Sequence, residues 1–340
     1  MMRLVSVDDA VGERLAHDLT RIVPGRVKEV AFSRGHFIRA NDVPDLRRIG
    51  KEQVYILDSD HSAVHEDEAA QQIVDAICDA NVEWTGPREG KCNVFAAIDG
   101  LLRIEPGALE RINLLGDIAV STLHTDFSCR RGQLVASARI IPLSIEQKRL
   151  DRVQAIGSES GPVISLLPYR RLRVGAVVTG SEVYSGMVQD GFADHVTPKL
   201  EAYGATLLEK IVVPDRADAI SGAVSGLKEM GCELILTTGG LSVDPDDVTR
   251  QGVRQSGAEI LSYGSPVMPG AMFLYAELED VPVLGLPACV FYFPATILDL
   301  LLPRVLCGEE LTAASIARLG HGGLCLQCDS CRFPRCQFGK

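Results

Sequence analysis

The sequence has few aromatic residues, no excess of positive charge and no long uninterrupted apolar run. Only 5% of its 340 residues are aromatic, and there is one tryptophan. Lysine and arginine number 34 against 45 aspartates and glutamates, which gives a net charge of −11. Because no cationic excess is available to displace counterions from phosphates, we expect neither nucleic-acid binding nor docking on an anionic membrane.

The most apolar stretch, residues 281–303, is too interrupted to cross a membrane, since a spanning helix needs about 20 consecutive apolar residues. Pro282, Pro287 and Pro294 break the stretch, and Asp299 lies in its second half. The first residues also lack the apolar segment and cleavage site of a signal peptide. We therefore expect a cytoplasmic protein without a membrane span.

Two common nucleotide-binding patterns are absent as well. No G-x-G-x-x-G follows an apolar strand, so a dinucleotide dehydrogenase has little support, and there is no P-loop with its lysine. The remaining composition, 46% apolar and 23% charged, is ordinary for a soluble globular protein. The length allows two or three domains.

The clearest pattern begins at residue 171, where apolar strands alternate with helices that end at glycines. One such helix is predicted in "DGFADHVTPKLEAYG", with Gly204 as its end. This alternation predicts an α/β fold with a mostly parallel sheet between layers of helices, whose ligands bind at the carboxyl ends of the strands. The predicted regions are a small β-rich region at 1–60, an α+β accessory region at 61–165, the α/β domain at 171–310 and a tail at 311–340.

Three loops of the α/β domain carry unusual residues. In "TGSEVYSGMVQD", Gly180 allows a close approach of the backbone to a ligand, and Ser181, Glu182 and Asp190 supply oxygens. A later loop, "YGSPVMPGAMFLY", places Pro269 and Gly270 before a strand. The remaining loop lies between these two in the chain.

That loop, "TTGGLSVDPDDVT", combines a glycine pair with three carboxylates. Gly239 and Gly240 allow close approach, and the following helix start offers an anion site. Asp246 or Asp247 can cap that helix, which stabilises by about 1 kcal/mol. One aspartate of this pair, together with Asp244, then needs another explanation. A phosphate that arrives with Mg²⁺ accounts for both carboxylates best, because Mg²⁺ favours one or two carboxylates plus phosphate oxygens.

These loops resemble the signature of molybdopterin-binding domains, shared by molybdopterin adenylyltransferases and molybdopterin molybdenumtransferases. The adenylyltransferase loop reads TGG, four variable positions, Pro, one variable position and Asp-Val-Thr. The chain matches it at Thr238, Gly239, Gly240, Pro245, Asp247, Val248 and Thr249. The stretches "PVMPGAMF" and "VLGLPACVFYFP" resemble the PG and LPGNP loops of the molybdenumtransferases, so the likeness covers residues 171–305.

The resemblance implies that the ligand is molybdopterin, with Mg²⁺ and a nucleotide nearby, and that ATP, molybdate and a molybdoenzyme are partners. Asp247 and Asp190 would coordinate Mg²⁺, and Glu182 would lie at the pterin edge. The expected ligand-binding residues are Thr179, Gly180, Ser181, Thr238, Gly239, Gly240, Ser242, Asp244, Pro269, Gly270, Pro287 and Cys289. We also expect a homo-oligomer.

Two departures from the pattern keep more than one function open. Ala271 stands where the PGKP loop has lysine, and LPGN has become LPAC, with Ala288 and Cys289. The lost cation would weaken phosphate binding by about 1–3 kcal/mol. Adenylyl or molybdenum transfer, a non-catalytic carrier, chaperone or sensor for a molybdoenzyme, and a nucleotide pyrophosphatase all remain. Cys289 is either a small core residue or a soft ligand.

The tail holds four of the ten cysteines, Cys325, Cys328, Cys331 and Cys336, in the pattern C-x2-C-x2-C-x4-C. Packing does not explain four thiols so close together. The first three match the spacing of bacterial ferredoxin clusters, and the fourth lies one residue further than usual. Four thiolates also close a structural zinc site. The tail therefore predicts an iron–sulfur cluster or Zn²⁺.

Overall fold

The structure, a computed structural model, describes residues 3–57, 63–242, 244 and 248–340. The chain divides into two compact units. Unit 1 comprises residues 1–97, 104–123 and 132–165, and unit 2 comprises residues 98–103, 124–131 and 166–340. The finer division predicted at residue 60 stays a prediction.

The first half of the chain consists of short strands and a few helices. Their bounds are β1 (Arg3–Ser6), β2 (Leu19–Val23), β3 (Val27–Phe32), α1 (Val43–Arg48), β4 (Gln53–Ile56), β5 (Ala63–His65), α2 (Glu66–Ile77), β6 (Val82–Trp84), β7 (Lys91–Ala96), β8 (Gly100–Ile104), α3 (Pro106–Asn113), β9 (Ile118–Thr122), β10 (Phe127–Cys129), β11 (Leu134–Ile140), β12 (Ser144–Glu146), α4 (Gln147–Ser160) and β13 (Ile164–Pro168). In unit 1 the pairs β1–β4, β2–β3 and β12–β5 accompany a four-stranded sheet of order β6-β7-β11-β9. The expected small sheets of the N-terminal region are confirmed.

The second half contains one large sheet with helices between its strands. Its elements are β14 (Arg173–Thr179), α5 (Ser181–Tyr184), α6 (Phe192–His195), α7 (Thr197–Glu201), β15 (Thr206–Val213), α8 (Ala217–Glu229), β16 (Leu234–Thr238), α9 (Thr249–Gln255), β17 (Glu259–Tyr263), β18 (Leu274–Leu278), β19 (Val281–Leu286), α10 (Ile297–Leu306) and α11 (Ala313–Arg318). The strand order is β15-β14-β16-β19-β18-β17. Strands β15, β14, β16 and β19 are parallel, and β18 runs antiparallel to both of its neighbours. The predicted mostly parallel α/β fold is confirmed.

Apolar side chains fill both faces of this sheet because its strands are almost continuously apolar. Alternate residues of β14 point to opposite faces: Val177 packs with α8 and α9, and Val178 packs with α6, α7 and α10. Phe338, near the end of the chain, is 2% exposed and belongs to the second of these clusters. The tail is therefore anchored in the core of unit 2.

The prediction of a single helix in "DGFADHVTPKLEAYG" is wrong, because the structure has two short helices there. The segment is divided into α6 and α7 at Val196, and Pro198 lies in the first turn of the second helix. Proline has no N–H to donate to the carbonyl four residues earlier and its ring crowds that turn, so the chain begins a new helix with Pro198 in its first turn.

No helix in the described part of the chain is both long enough and apolar enough to cross a membrane.

Candidate functional site

The predicted loops meet at one edge of the large sheet. Val178 pairs with Thr238, and Thr238 pairs with Leu286, so the parallel strands β14, β16 and β19 end side by side. Strand β18 begins at the same edge, since Leu274 lies opposite Gly285. The loops that follow β14, β16 and β19 and the loop that precedes β18 therefore share one edge, the ligand edge. The carboxyl ends of parallel strands are where open α/β sheets bind ligands.

The glycine pair after β16 is required by the packing of the protein itself. Gly239 and Gly240 have φ angles of 87° and 57°, in the left-handed region. A Cβ on Gly239 would lie 2.4 Å from the carbonyl oxygen of Thr179, and one on Gly240 would lie 2.5 Å from Oγ1 of Thr249. Thr249 Oγ1 also donates to the Gly239 carbonyl at 2.9 Å. The close approach predicted at these glycines is thus between chain segments, and it fixes the loop to β14.

Replacing Gly239 by alanine is expected to lower the free energy of unfolding by about 2–4 kcal/mol, because the new Cβ overlaps Thr179 in a conformation that L residues disfavour. Denaturant unfolding of the full chain measures the change. Gly222→Ala is the matched control: Gly222 lies in α8 with nothing within 4 Å of its Cβ position. That substitution should stabilise by about 0.5–1 kcal/mol. Equal midpoints for the two variants would contradict the structural role of Gly239.

At the end of β16 lies a buried hydroxyl that lacks a partner. Thr238 is 1% exposed, and within the described residues its Oγ1 accepts or donates no hydrogen bond. An unpaired buried polar group costs about 1–3 kcal/mol, so such groups are uncommon, although the neighbouring Thr237 has one on the other face of the strand. The position of Thr238 directly before the glycine pair fits a group that a bound ligand satisfies.

The first loop is held to the neighbouring strand by its polar residues. Ser181 N–H donates to Asp215 Oδ2 at 2.7 Å. Glu182 is exposed, and its carboxylate lies over Gly180, where a Cβ would come within 3.0 Å of Oε1. Asp190 is nearly buried: it pairs with Lys210, and its Oδ1 accepts from the N–H of Phe192 at 2.8 Å. Glu182 is thus free to meet a ligand, whereas the Asp190 carboxylate already has two partners.

The loop before β18 is packed tightly against the start of α10. Gly270, with a φ of 138°, leaves no room for a side chain, since a Cβ there would lie 2.5 Å from that of Ile297. The carbonyl of Pro269 accepts from the N–H of Ile297 at 3.2 Å. Pro269 and Gly270 therefore shape the ligand edge. The residue that follows them is Ala271, where the PGKP loop has lysine.

In the loop after β19, Pro287 and Cys289 are half-buried. Burial raises the pKa of the Cys289 thiol, and the nearby charge of Lys199 opposes this only in part. The thiol therefore stays protonated near neutral pH, which favours the packing interpretation of Cys289 over that of a ready soft ligand.

Two residues at this edge belong to no motif that the sequence analysis identified. Tyr263, the last residue of β17, donates from its hydroxyl to the Leu241 carbonyl at 2.7 Å. The guanidinium of Arg250 lies 4.8 Å from the centre of the Tyr263 ring. The tyrosine thereby ties the glycine loop to β17 and holds an exposed cation beside Ser242. Such a cation–π contact is worth about 0.5–1 kcal/mol when exposed.

Part of the predicted Mg²⁺ site lies outside the described residues. Asp246 and Asp247 belong to that part, so their roles stay predictions. Ser242 and Asp244 are described and exposed.

The four tail cysteines line one cavity of about 70 Å³. Its other walls include Phe293, Ala295, Phe333 and Phe338. Cys325 and Cys336 are half-buried, and Cys328 and Cys331 are exposed. Among the residues that the structure describes, no group of three His, Cys, Asp or Glu side chains is placed to hold a metal ion. The structure thus brings the four cysteines to one cavity without bringing their sulfurs into a coordination shell.

Two family models match separate parts of the chain. Residues 4–58 match a family model described as a domain of unknown function. Residues 175–306 match the family model "Probable molybdopterin binding domain". This second range holds the ligand edge with its four loops.

Among curated proteins, a CinA-like protein of Amoebophilus asiaticus is 32% identical over 82 residues, which are 24% of this chain and 20% of that protein. A CinA-like protein of Citrifermentans bemidjiense is 36% identical over 92 residues, 26% of this chain and 22% of its own length. The chain thus spans about a fifth of the length of these relatives.

Among solved structures, the molybdopterin biosynthesis enzyme MoaB of Thermus thermophilus is 19% identical, with a TM-score of 0.34, and covers 41% of this chain and 98% of its own. A molybdenum cofactor biosynthesis protein of Pyrococcus furiosus covers 94% of this chain and 65% of its own, at 14% identity and a TM-score of 0.27. The family model confirms the resemblance found in the loops: residues 175–306 match a probable molybdopterin binding domain.

Proposed function

We propose that this chain binds molybdopterin at the ligand edge and acts in making or modifying the molybdenum cofactor by Mg²⁺-dependent adenylyl or molybdenum transfer. The observation that carries the proposal is the convergence of all four family-like loops on one sheet edge. The buried hydroxyl of Thr238 at the centre of that edge, which has no partner among the described residues, supports the proposal.

The residues at the edge divide into groups for the phosphate and groups for a metal. Ser242 and the exposed guanidinium of Arg250, held over Tyr263, would bind the ligand phosphate. Asp247 would coordinate Mg²⁺, and Glu182 would contact the pterin. Transfer would then depend on positioning and on neutralising the charge of the phosphate oxygens.

A second function, a non-catalytic carrier or sensor of the cofactor, is favoured by two observations. Asp190, the second predicted Mg²⁺ ligand, is already paired with Lys210 and with a backbone N–H. Ala271 replaces the lysine expected in the loop before β18. Both features reduce the number of charged groups available for transfer chemistry.

We also propose that the tail binds metal through its four cysteines, as an iron–sulfur cluster or as Zn²⁺. The support is the shared cavity of the four side chains. Both centres take four thiolate ligands from closely spaced cysteines.

Anaerobic incubation with molybdopterin, Mg-ATP and molybdate tests the function, with bound and released pterin identified by mass. Adenylylated or molybdenum-loaded pterin supports transfer. Pterin that is retained unchanged supports the carrier. If no pterin is bound, the proposed ligand is wrong.

Replacing Thr238 by valine is expected to separate the fold from the function. The substitution removes an unpaired buried hydroxyl, so the free energy of unfolding should rise by about 1 kcal/mol. Molybdopterin affinity should fall about 5–10-fold, the value of one neutral hydrogen bond. Denaturant unfolding and equilibrium binding of molybdopterin measure the two effects.

Thr237→Val is the matched control, since Thr237 also has a buried hydroxyl without a partner among the described residues and points to the opposite face of β16. It should change stability in the same direction and leave affinity unchanged. Equal affinity losses in both variants would show that Thr238 has no special place at the site.

A further inference from the structure

The cysteine tail is hydrogen-bonded to one of the loops that form the ligand edge, the loop before β18. The N–H of Met268 donates to the Gly323 carbonyl at 2.8 Å, and the N–H of Cys325 donates back to the Met268 carbonyl at 2.9 Å. Met268 directly precedes Pro269 and Gly270. The first tail cysteine and the loop before β18 thus form one hydrogen-bonded unit.

The cavity of the four cysteines also borders the loop after β19. Phe293, Pro294 and Ala295 form part of its wall. The N–H of Phe293 donates to the Cys289 carbonyl at 3.0 Å, so this wall continues directly from the LPAC motif. The cavity therefore borders the loop after β19 directly, and the backbone hydrogen bond of Cys325 links it to the loop before β18.

The tail is a loop whose ends are fastened together. The N–H of Gly339 donates to the Gly322 carbonyl at 2.9 Å. Gly322 has a φ of 87°, and a Cβ there would lie 2.1 Å from the Lys340 carbonyl oxygen, so only glycine fits this closure. All four cysteines lie between these fastened ends. Their spacing in three dimensions is therefore limited even though Cys328 and Cys331 are exposed.

One thiol already has the hydrogen bond found around coordinated sulfur. The backbone N–H of Gln327 donates to Sγ of Cys325 at 3.5 Å. Gln327 itself adopts a left-handed conformation, with a φ of 51°. Backbone N–H donors to sulfur favour the thiolate and tune thiolate metal centres.

We propose that Cys325, Cys328, Cys331 and Cys336 form a thiolate metal site that acts as a clasp: metal binding draws the exposed Cys328 and Cys331 inward and orders the loops before β18 and after β19. The proposal takes the metal site of the tail further, and its effect on molybdopterin rests on the proposed function. If both loops contact the ligand, metal and molybdopterin each raise the affinity of the other by the same factor, because coupling between two binding sites is reciprocal.

Hydrogen exchange of the full-length protein, prepared anaerobically, tests the clasp without any pterin. The protein is compared after chelation, after addition of Zn²⁺ alone, and after reconstitution with Fe²⁺ and sulfide. We expect exchange in residues 264–272 and 288–296 to slow at least about 5-fold with the metal that belongs to the site. Metal, iron and sulfide analysis then distinguishes zinc from a cluster.

The test variant is Cys328→Ser with Cys331→Ser, since these exposed side chains contribute little to packing. It should lose the metal and the protection of both loops. The control is Cys78→Ser with Cys307→Ser. Burial raises the pKa of Cys78 to about 12 and that of Cys307 to about 11, so neither competes as a thiolate. The control should keep both effects.

The outcomes separate this inference from the proposed function. Metal bound without protection of the loops would overturn the clasp, as would metal retained by the tail variant or no metal bound by any form. Protected loops in a protein that binds no molybdopterin would leave the clasp in place and overturn the proposed ligand. With both bound, we expect molybdopterin to tighten about 5-fold or more on metal loading, within the usual range for coupled sites.

Discussion

Replacing Asp247 by asparagine is expected to leave molybdopterin bound but to reduce its conversion about 10²–10³-fold. Asparagine keeps the size of the side chain and one oxygen, but it removes the charge that holds a hard cation. Without the cation, the charge that develops on the phosphate oxygens is less well compensated. Losing one such electrostatic stabiliser typically costs a factor of this size in turnover. The measurement is the rate of formation of adenylylated or molybdenum-loaded pterin at saturating substrate.

Asp280→Asn provides the matched control for Asp247→Asn. Asp280 is an exposed carboxylate in the turn between β18 and β19, at the opposite edge of the same sheet. The Asp280→Asn variant should convert molybdopterin at the same rate as the unsubstituted protein. A similar loss in both variants would point to net charge instead of a metal site, and full turnover by Asp247→Asn would remove Asp247 from the mechanism. Absence of turnover in the unsubstituted protein, with pterin retained, would favour the carrier.

The strand order of the large sheet shows what the sequence could and could not predict. Apolar strands separated by glycine-ended helices predicted the parallel part correctly, because a helical crossover returns the chain in the same direction. Strand β18 is antiparallel because only Glu279 and Asp280 separate it from β19, and a two-residue link can only form a hairpin. Glu279 has a φ of 57°, which that tight turn requires.

The site was predicted at the level of loops and less well at the level of contacts. The glycine pair was predicted to let a ligand approach closely, and this stays a prediction; the structure adds that Thr179 and Thr249, which lie on other elements, pack against the pair. Spacing along the chain does not reveal such contacts. For the same reason the pairing of Asp190 with Lys210 was missed, because the lysine comes from β15.

Tyr263 and Arg250 could not be identified as site residues from the sequence, for a related reason. One ends a strand and the other begins a helix, and neither belongs to a motif. Only the fold places the guanidinium over the ring and the ring beside the glycine loop. The position of the Arg250 guanidinium beside the glycine loop is thus visible only in three dimensions.

Replacing Phe338 by alanine is expected to release the tail from unit 2. Phe338 is 2% exposed, and its ring packs edge-on against that of Phe333 with 6.0 Å between the centres. Truncating a buried phenylalanine to alanine typically costs about 3–5 kcal/mol. Since the tail is a terminal segment, the loss should appear as local opening of residues 322–340 more than as global unfolding.

Trypsin cleavage after Arg332 and Arg335, followed by mass, measures that opening. The rate at these two sites, relative to cleavage elsewhere in the chain, should rise more than about 100-fold in Phe338→Ala, because 3 kcal/mol corresponds to a factor of this size in the open population. Leu326→Ala is the matched control, an apolar truncation in the same tail at a residue 66% exposed. It should change the rate less than about 3-fold. If both variants are cleaved at the same rate, Phe338 does not anchor the tail. The proposed clasp would then lack the packing contact that holds the end of the chain to unit 2.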